Sequence, residues 1–288
     1  MAEVRRLPYR AAMAAIIVLV LAHASSADAQ SAAAPDSLVS AMTRAGVARI
    51  AIAALPPYAY RLPSGEPQGY LIDVSNAVLQ PLGVTRLEVT TTTFDAMIPG
   101  LQARQFDFVP AGLNITGARC AVIAFSAPVT AQNDALYVRP GNPRQLTGYA
   151  SVVRAAEVRL AVLTGSAQEA FALRQGIAPG QLVRVPDAQA GVAAVTGGRA
   201  DAFAIGEFSI PNPSQRGVER VIDRASPLAG VGIAFRREDA AARDAFDTRL
   251  TVLRADGTLR RLYEQHGFTN WDVLATVTKP SDIAPECN

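Results

Sequence analysis

Arg119 stands three residues after Thr116, in the run Ala111-Gly112-Leu113-Asn114-Ile115-Thr116-Gly117-Ala118-Arg119-Cys120. Thr116 has the side chain to cap a helix, which sets Arg119 in the first helical turn. A cation there opposes the helix dipole, which favours anions at that end. The placement makes sense if the guanidinium faces an anion that nearby backbone N–H groups also bind. A guanidinium meets a carboxylate through two parallel hydrogen bonds. Gly112, Leu113 and Asn114 precede it on a turn, where backbone N–H groups and the Asn114 amide can share the load. On the residue alone, a solvated surface arginine is the simpler reading. Gly165 and Ser166 open a helix directly after a strand, which aims their N–H groups and the Ser166 hydroxyl at one end of the sheet. An ordinary N-cap serine fits those residues equally well.

These residues are carried by alternating strands and helices. Arg49 to Ala54, Thr85 to Thr91 and Phe106 to Val109 read as strands, with helices over Leu71–Leu82 and Phe94–Leu101. Pro63-Ser64-Gly65-Glu66 is turn chemistry. Asn133 to Val138 reads as a connecting strand, closed by the breaker cluster Arg139-Pro140-Gly141-Asn142-Pro143. A second unit follows, with strands at Arg159–Leu163, Leu182–Val185 and Asp201–Ile205 and helices at Ser166–Gln175 and Ala188–Thr196. Gly230 to Arg236 reads as a return strand before helices at Arg243–Ala255 and Thr258–His266. Strand–helix alternation predicts an α/β fold with mainly parallel sheets covered on both faces.

The first thirty residues and the composition bound the rest. Arg5, Arg6 and Arg10 precede an apolar run, Ala11 to Ala24, that is too short to span a bilayer as a mature helix. Ala27-Asp28-Ala29 fits a small-x-small cleavage site, so residues 1–29 read as a signal peptide and the mature chain starts at Gln30. Its removal leaves 259 of the 288 residues, a length at which single cores begin to divide. The formal charge of the whole chain is only +2, with no basic runs, so nucleic acid has no electrostatic footprint here. There are two histidines, and one of them, His23, leaves with the signal. With His266 alone and no thiolate cluster, zinc and Ser-His-Asp chemistry are excluded, and no cofactor is expected. Two cysteines, Cys120 and Cys287, are expected as a disulfide in an oxidising compartment. The alternative is a buried thiol and a frayed tail.

From about Ala48 to Phe268 the chain resembles the family 3 periplasmic solute-binding proteins, the receptors of polar amino acid ABC importers. The pieces that carry the resemblance are Pro57-Tyr58-Ala59-Tyr60, Gly69-Tyr70-Leu71-Ile72-Asp73-Val74, the Phe94–Ser126 block, Leu163-Thr164-Gly165-Ser166, Gly198-Arg199-Ala200-Asp201-Ala202 and Leu253-Arg254-Ala255-Asp256-Gly257-Thr258. The resemblance implies a two-lobed, type II periplasmic binding protein-like fold with two hinge connections. Its expected divisions are a flexible lead-in (30–46), lobe 1 (47–134 and 232–270), lobe 2 (135–231) and a tail (271–288). It further implies a periplasmic, monomeric receptor that passes a small solute to an inner-membrane permease, and no enzyme activity.

Arg119 is then the carboxylate clamp, and Tyr58 and Phe94, with Tyr60 beside the first, match the family's aromatic walls. The family's amino acid receptors usually carry an aspartate after the GR-x-D-A strand to meet the ligand ammonium. Here that place is Gly206, followed by Glu207, which becomes the candidate partner for a ligand cation, with Asp95 or Asp134 as other candidates. The Arg119-Cys120 pair and the late cysteine resemble the ectoine and hydroxyectoine branch, whereas Leu55 and Asn114 depart from its pocket. The ligand stays open between polar amino acids and ectoine-like solutes. Cyclohexadienyl dehydratases resemble the same family, which makes an enzyme with Glu207 as proton carrier the alternative.

Overall fold

The computed structural model describes Met1 and residues 37–287. The expected signal peptide therefore lies outside the described residues. Helix α1 (Leu38–Ala45) starts where the Ser37 hydroxyl accepts the Ser40 N–H and stops at Gly46, whose φ of 65° favours glycine. Strand β1 (Val47–Ile52) follows. A small hairpin of β2 (Tyr60–Arg61) and β3 (Pro67–Gln68) then leads into α2 (Tyr70–Leu79). β4 (Arg86–Thr91) pairs parallel with β1.

The 106–109 segment joins this sheet by a single bridge, Ile50 to Phe108, with a second bridge from Val109 to Ala234 of a later strand, and not as a full strand. Asp107 explains this. Its carboxylate accepts the Arg49 N–H at 2.7 Å and also holds the Arg49 guanidinium, taking donors that a ladder would use. Beyond it come α3 (Met97–Gln102), the single turn α4 (Gly117–Cys120), β5 (Ile123–Phe125) and β6 (Thr130–Gln132).

A second sheet takes its strands from β7 (Asp134–Val138), β8 (Leu160–Leu163), β9 (Leu182–Val185), β10 (Ala202–Gly206) and β11 (Glu219–Ile222). Their order is β11-β7-β10-β8-β9, with a parallel centre and antiparallel pairing about β7. Alternation splits these strands between two cores, as the period of two demands. Leu136, Val138, Leu160, Val162, Ala202 and Ala204 pack with α5 (Tyr149–Arg154) and α6 (Ala167–Arg174). Tyr137, Ala161, Leu163, Phe203 and Ile205 face α7 (Ala188–Thr196). Both faces are covered, which is why these strands read as nearly continuous apolar runs.

The chain returns through β12 (Ala229–Val231), antiparallel to β6, and β13 (Ala234–Arg236), antiparallel to β5. Two paired crossings thus join the sheets. Helices α8 (Ala240–Ala255), α9 (Thr258–Gln265) and α10 (Trp271–Ala275) complete the first core. The tail runs back toward α4. Ile283 packs against Gly230, and Cys287 is joined to Cys120 with Cα atoms 5.4 Å apart.

Candidate functional site

Where the two sheets meet, their ends enclose a small cavity of about 20 Å³. One side is formed by Leu55, Tyr58, Phe94, Gly112 and Asn114, the other by Leu163, Ser166, Gln168, Ile205 and Gly206. Gln132, on the crossing strand β6, and Ser209 close it. The space admits about one water molecule, whereas small-molecule sites run to hundreds of Å³. Admitting a solute therefore requires these walls to part.

The sequence candidates fall on this cavity unevenly. Tyr58, Phe94, Gly112, Asn114 and Ser166 line it. Gly112 has a φ of 79°, and a side chain there would lie 2.9 Å from Leu55, so the close approach needs glycine. The N–H groups of Gly112, Leu113 and Asn114 have no acceptor among the described residues. Ser166 caps α6, its hydroxyl accepting the Glu169 N–H at 3.1 Å. Gly165 takes a φ of 74° and abuts Asp95 across the cleft, while its N–H donates to the Glu169 carboxylate at 2.8 Å. That N–H is therefore already engaged.

Arg119 lies beside the cavity. Thr116 accepts its N–H at 3.3 Å and starts the four-residue α4, which is too short for the dipole argument to decide anything. Its guanidinium donates to the Asn114 carbonyl at 2.9 Å and to the Gly165 carbonyl at 3.0 Å, and sits 5.6 Å from the Phe94 ring centroid. One cation thus ties the two walls. It has no carboxylate partner among the described residues, and burial pushes its pKa down to about 10. Three of its five N–H donors remain unused.

Two candidates lie elsewhere. Tyr60 sits on the β2–β3 hairpin and donates its hydroxyl to Gln68 at 3.0 Å, away from the cavity. Glu207 reaches the cleft only if the strand has already ended at Gly206. Instead β10 runs through Gly206, and the Glu207 N–H still donates to Asn133 at 3.1 Å. Alternation then carries the Glu207 side chain to a separate cavity with Asn133, Arg220 and Arg224. Burial raises its carboxyl, and the two arginines oppose that. Asp134 is the first residue of β7 in the second sheet, at the proposed lobe boundary, and lines a different recess. Among the described residues, no carboxylate lines the central cavity.

The model for bacterial extracellular solute-binding proteins, family 3, matches residues 48–269. This chain belongs to that family. Among curated relatives, a probable amino-acid ABC transporter periplasmic-binding protein, y4tE, of Sinorhizobium fredii is 29% identical over 245 residues, covering 81% of each chain. The lysine/arginine/ornithine-binding periplasmic protein of Escherichia coli is 28% identical, covering 73% of this chain and 83% of its own. Among solved structures, EhuB in complex with hydroxyectoine superposes with a TM-score of 0.80 at 30% identity, over 85% of this chain and 96% of that one. An ancestral amino acid-binding protein, a precursor of cyclohexadienyl dehydratase, gives 0.72 at 25%, over 80% and 99%. The fold is the two-lobed type II architecture of these binding proteins.

For a family 3 protein, the polar lining that sequence reasoning missed is informative. Gln132 donates to the Tyr58 hydroxyl at 2.5 Å and accepts the Phe208 N–H at 3.2 Å. A side chain at position 206 would overlap the Gln132 amide at 2.3 Å, so Gln132 fills the space that Gly206 leaves. Gln168 donates to Asp134 at 2.7 Å. Amide side chains carry no spacing signature; only contacts across 74 and 34 positions give these two a role.

Proposed function

We propose that this chain is the periplasmic substrate-binding component of an ABC importer, taking a small zwitterionic solute between its lobes. The solute is a polar amino acid or an ectoine-like compound, and the lobes divide at about 134/135 and 231/232. The observation that carries the reading is Arg119, held by the Asn114 and Gly165 carbonyls, next to a turn that lines the cavity through Gly112 and Asn114 and whose N–H groups from Gly112 to Asn114 have no acceptor among the described residues. Donors left unpaired at a cavity wall are costly unless an anion completes them, and a carboxylate is such an anion. The three unused donors of Arg119 add to that set. Tyr58 and Phe94 supply aromatic faces for the rest of the solute.

The same reading places the chain in the periplasm after cleavage between Ala29 and Gln30, as a monomer served by an inner-membrane permease. It is not an enzyme: proton transfer in a dehydratase needs an acid at the substrate, and the carboxylate nominated for it, Glu207, points into another cavity. Thermal melts with L-arginine, L-lysine, L-histidine, L-glutamine and hydroxyectoine test the proposal. A ligand that binds only the closed folded form adds about 2.7 kcal/mol of stability at a hundredfold excess over Kd. A melting temperature that none of them moves, or product formation from prephenate or arogenate, overturns it.

A further inference from the structure

A zwitterion brings a cation as well as a carboxylate, yet the cavity has no acidic lining among the described residues. A buried ammonium without a counter-charge is too costly to bind. Gln168 and Asp134 resolve the conflict. Asp134 is 6% exposed, forms no ion pair among the described residues, and is held from three sides. Its Oδ1 accepts from Gln168 Nε2 at 2.7 Å, its Oδ2 from the Tyr149 hydroxyl at 2.9 Å, and its N–H donates to the Ser226 hydroxyl at 2.9 Å.

A carboxylate only accepts, so it fixes which end of the Gln168 amide is which. The NH₂ must face Asp134, and Oε1 is left for the cavity that Gln168 lines. Gln168 is itself only 7% exposed, and its Oε1 has no hydrogen bond among the described residues. The other amides differ. Both ends of Gln132 are committed, and the Asn114 side-chain amide has no hydrogen bond among the described residues to fix which end faces the cavity.

Building on the function proposed above, we propose that Gln168, oriented by Asp134, reads the α-ammonium of the solute, with Oε1 as its acceptor and Asp134 as the negative charge one hydrogen bond behind. Asp134 is a positioning residue; Gln168 touches the ligand. The neutral amide does at this site what an acid does directly elsewhere, because the charge behind it polarises the bond.

The test is calorimetry on the full mature chain with L-arginine, L-histidine and L-glutamine, each beside its deaminated counterpart: 5-guanidinopentanoate, imidazolepropionate and glutaramate. Gln168→Met keeps length and removes the acceptor. It should weaken the amino acid by about tenfold or more and leave the deaminated partner within about twofold. Asp134→Asn, which lets the amide pair flip, should narrow the same preference by a smaller factor. The double variant Asp134→Asn/Gln168→Glu reverses the hydrogen bond and moves the charge into the cavity, so it should restore the preference. General loosening of the site would lower both members of a pair alike. Equal loss for both members, or no loss for either, overturns the inference while the wild type still binds. A wild type that binds none of the six also overturns it, and the wider ligand screen then decides whether the functional reading survives.

Discussion

Arg119 spends its charge on two backbone carbonyls and an aromatic face, an arrangement that holds a guanidinium in place without neutralising it. An incoming carboxylate would then meet a desolvated cation already oriented by both walls. Truncating one partner of a buried charge pair costs roughly 2–5 kcal/mol. Arg119→Ala is therefore expected to weaken ligand binding by well over tenfold with an unchanged circular dichroism spectrum; calorimetry showing wild-type affinity would remove Arg119 from the site. Asp247 makes a second prediction. Its carboxylate accepts the Ala127 N–H at 2.8 Å, but burial outweighs that bond and raises its pKa from 3.8 to about 6. A raised carboxyl pKa means that the folded state binds the proton more tightly than the unfolded one. The resulting stability is fully present below pH 3.8 and is lost as pH rises through about 6. Asp247→Asn keeps an acceptor for Ala127 and should flatten that slope, with a higher melting temperature than wild type at pH 8. Identical slopes in the two proteins would show that Asp247 does not carry the effect.

At the level of elements, sequence patterns were legible where burial imposes them. Leu182–Val185 and Ala188–Thr196 stand at their expected bounds, because the first turns Leu182 and Val185 inward and the second presents a single apolar face to the sheet. The edge strand Glu219–Ile222 was not legible: half of it is exposed and charged, and only pairing with β7 makes it a strand. Glu207 was misjudged for a related reason, since a shift of one residue in where β10 stops exchanges the faces of everything after it. Of the site, glycines and caps could be found from local geometry, whereas Gln132 and Gln168 depend on distant partners. The tail is the element with the sharpest prediction. The bridge between Cys120 and Cys287 closes a loop of 167 residues, and in the chain-entropy model such a closure contributes up to about 5 kcal/mol. Reduction should lower the melting temperature by many degrees, and two free thiols in a denatured, unreduced sample of exported protein would rule the bridge out.

For the whole molecule, two crossings between the sheets leave hinge motion as the natural coordinate, and the tight cavity marks its closed end. Small-angle scattering should show a smaller radius of gyration on addition of a ligand that raises the melting temperature; a stabilising ligand that leaves the radius unchanged would argue against hinge closure. The covalent strap adds an ordering in time. Cys120 sits next to the arginine proposed to clamp the solute, and its partner follows 167 positions later in the chain. A chain threaded through a membrane in order delivers the arginine long before it delivers the second sulfur, and the reducing side of the membrane keeps the two thiols apart. Under the export proposed above, the clamp would thus be fastened only after a further 167 positions of chain have followed the arginine across, on the side where the proposed solute is met.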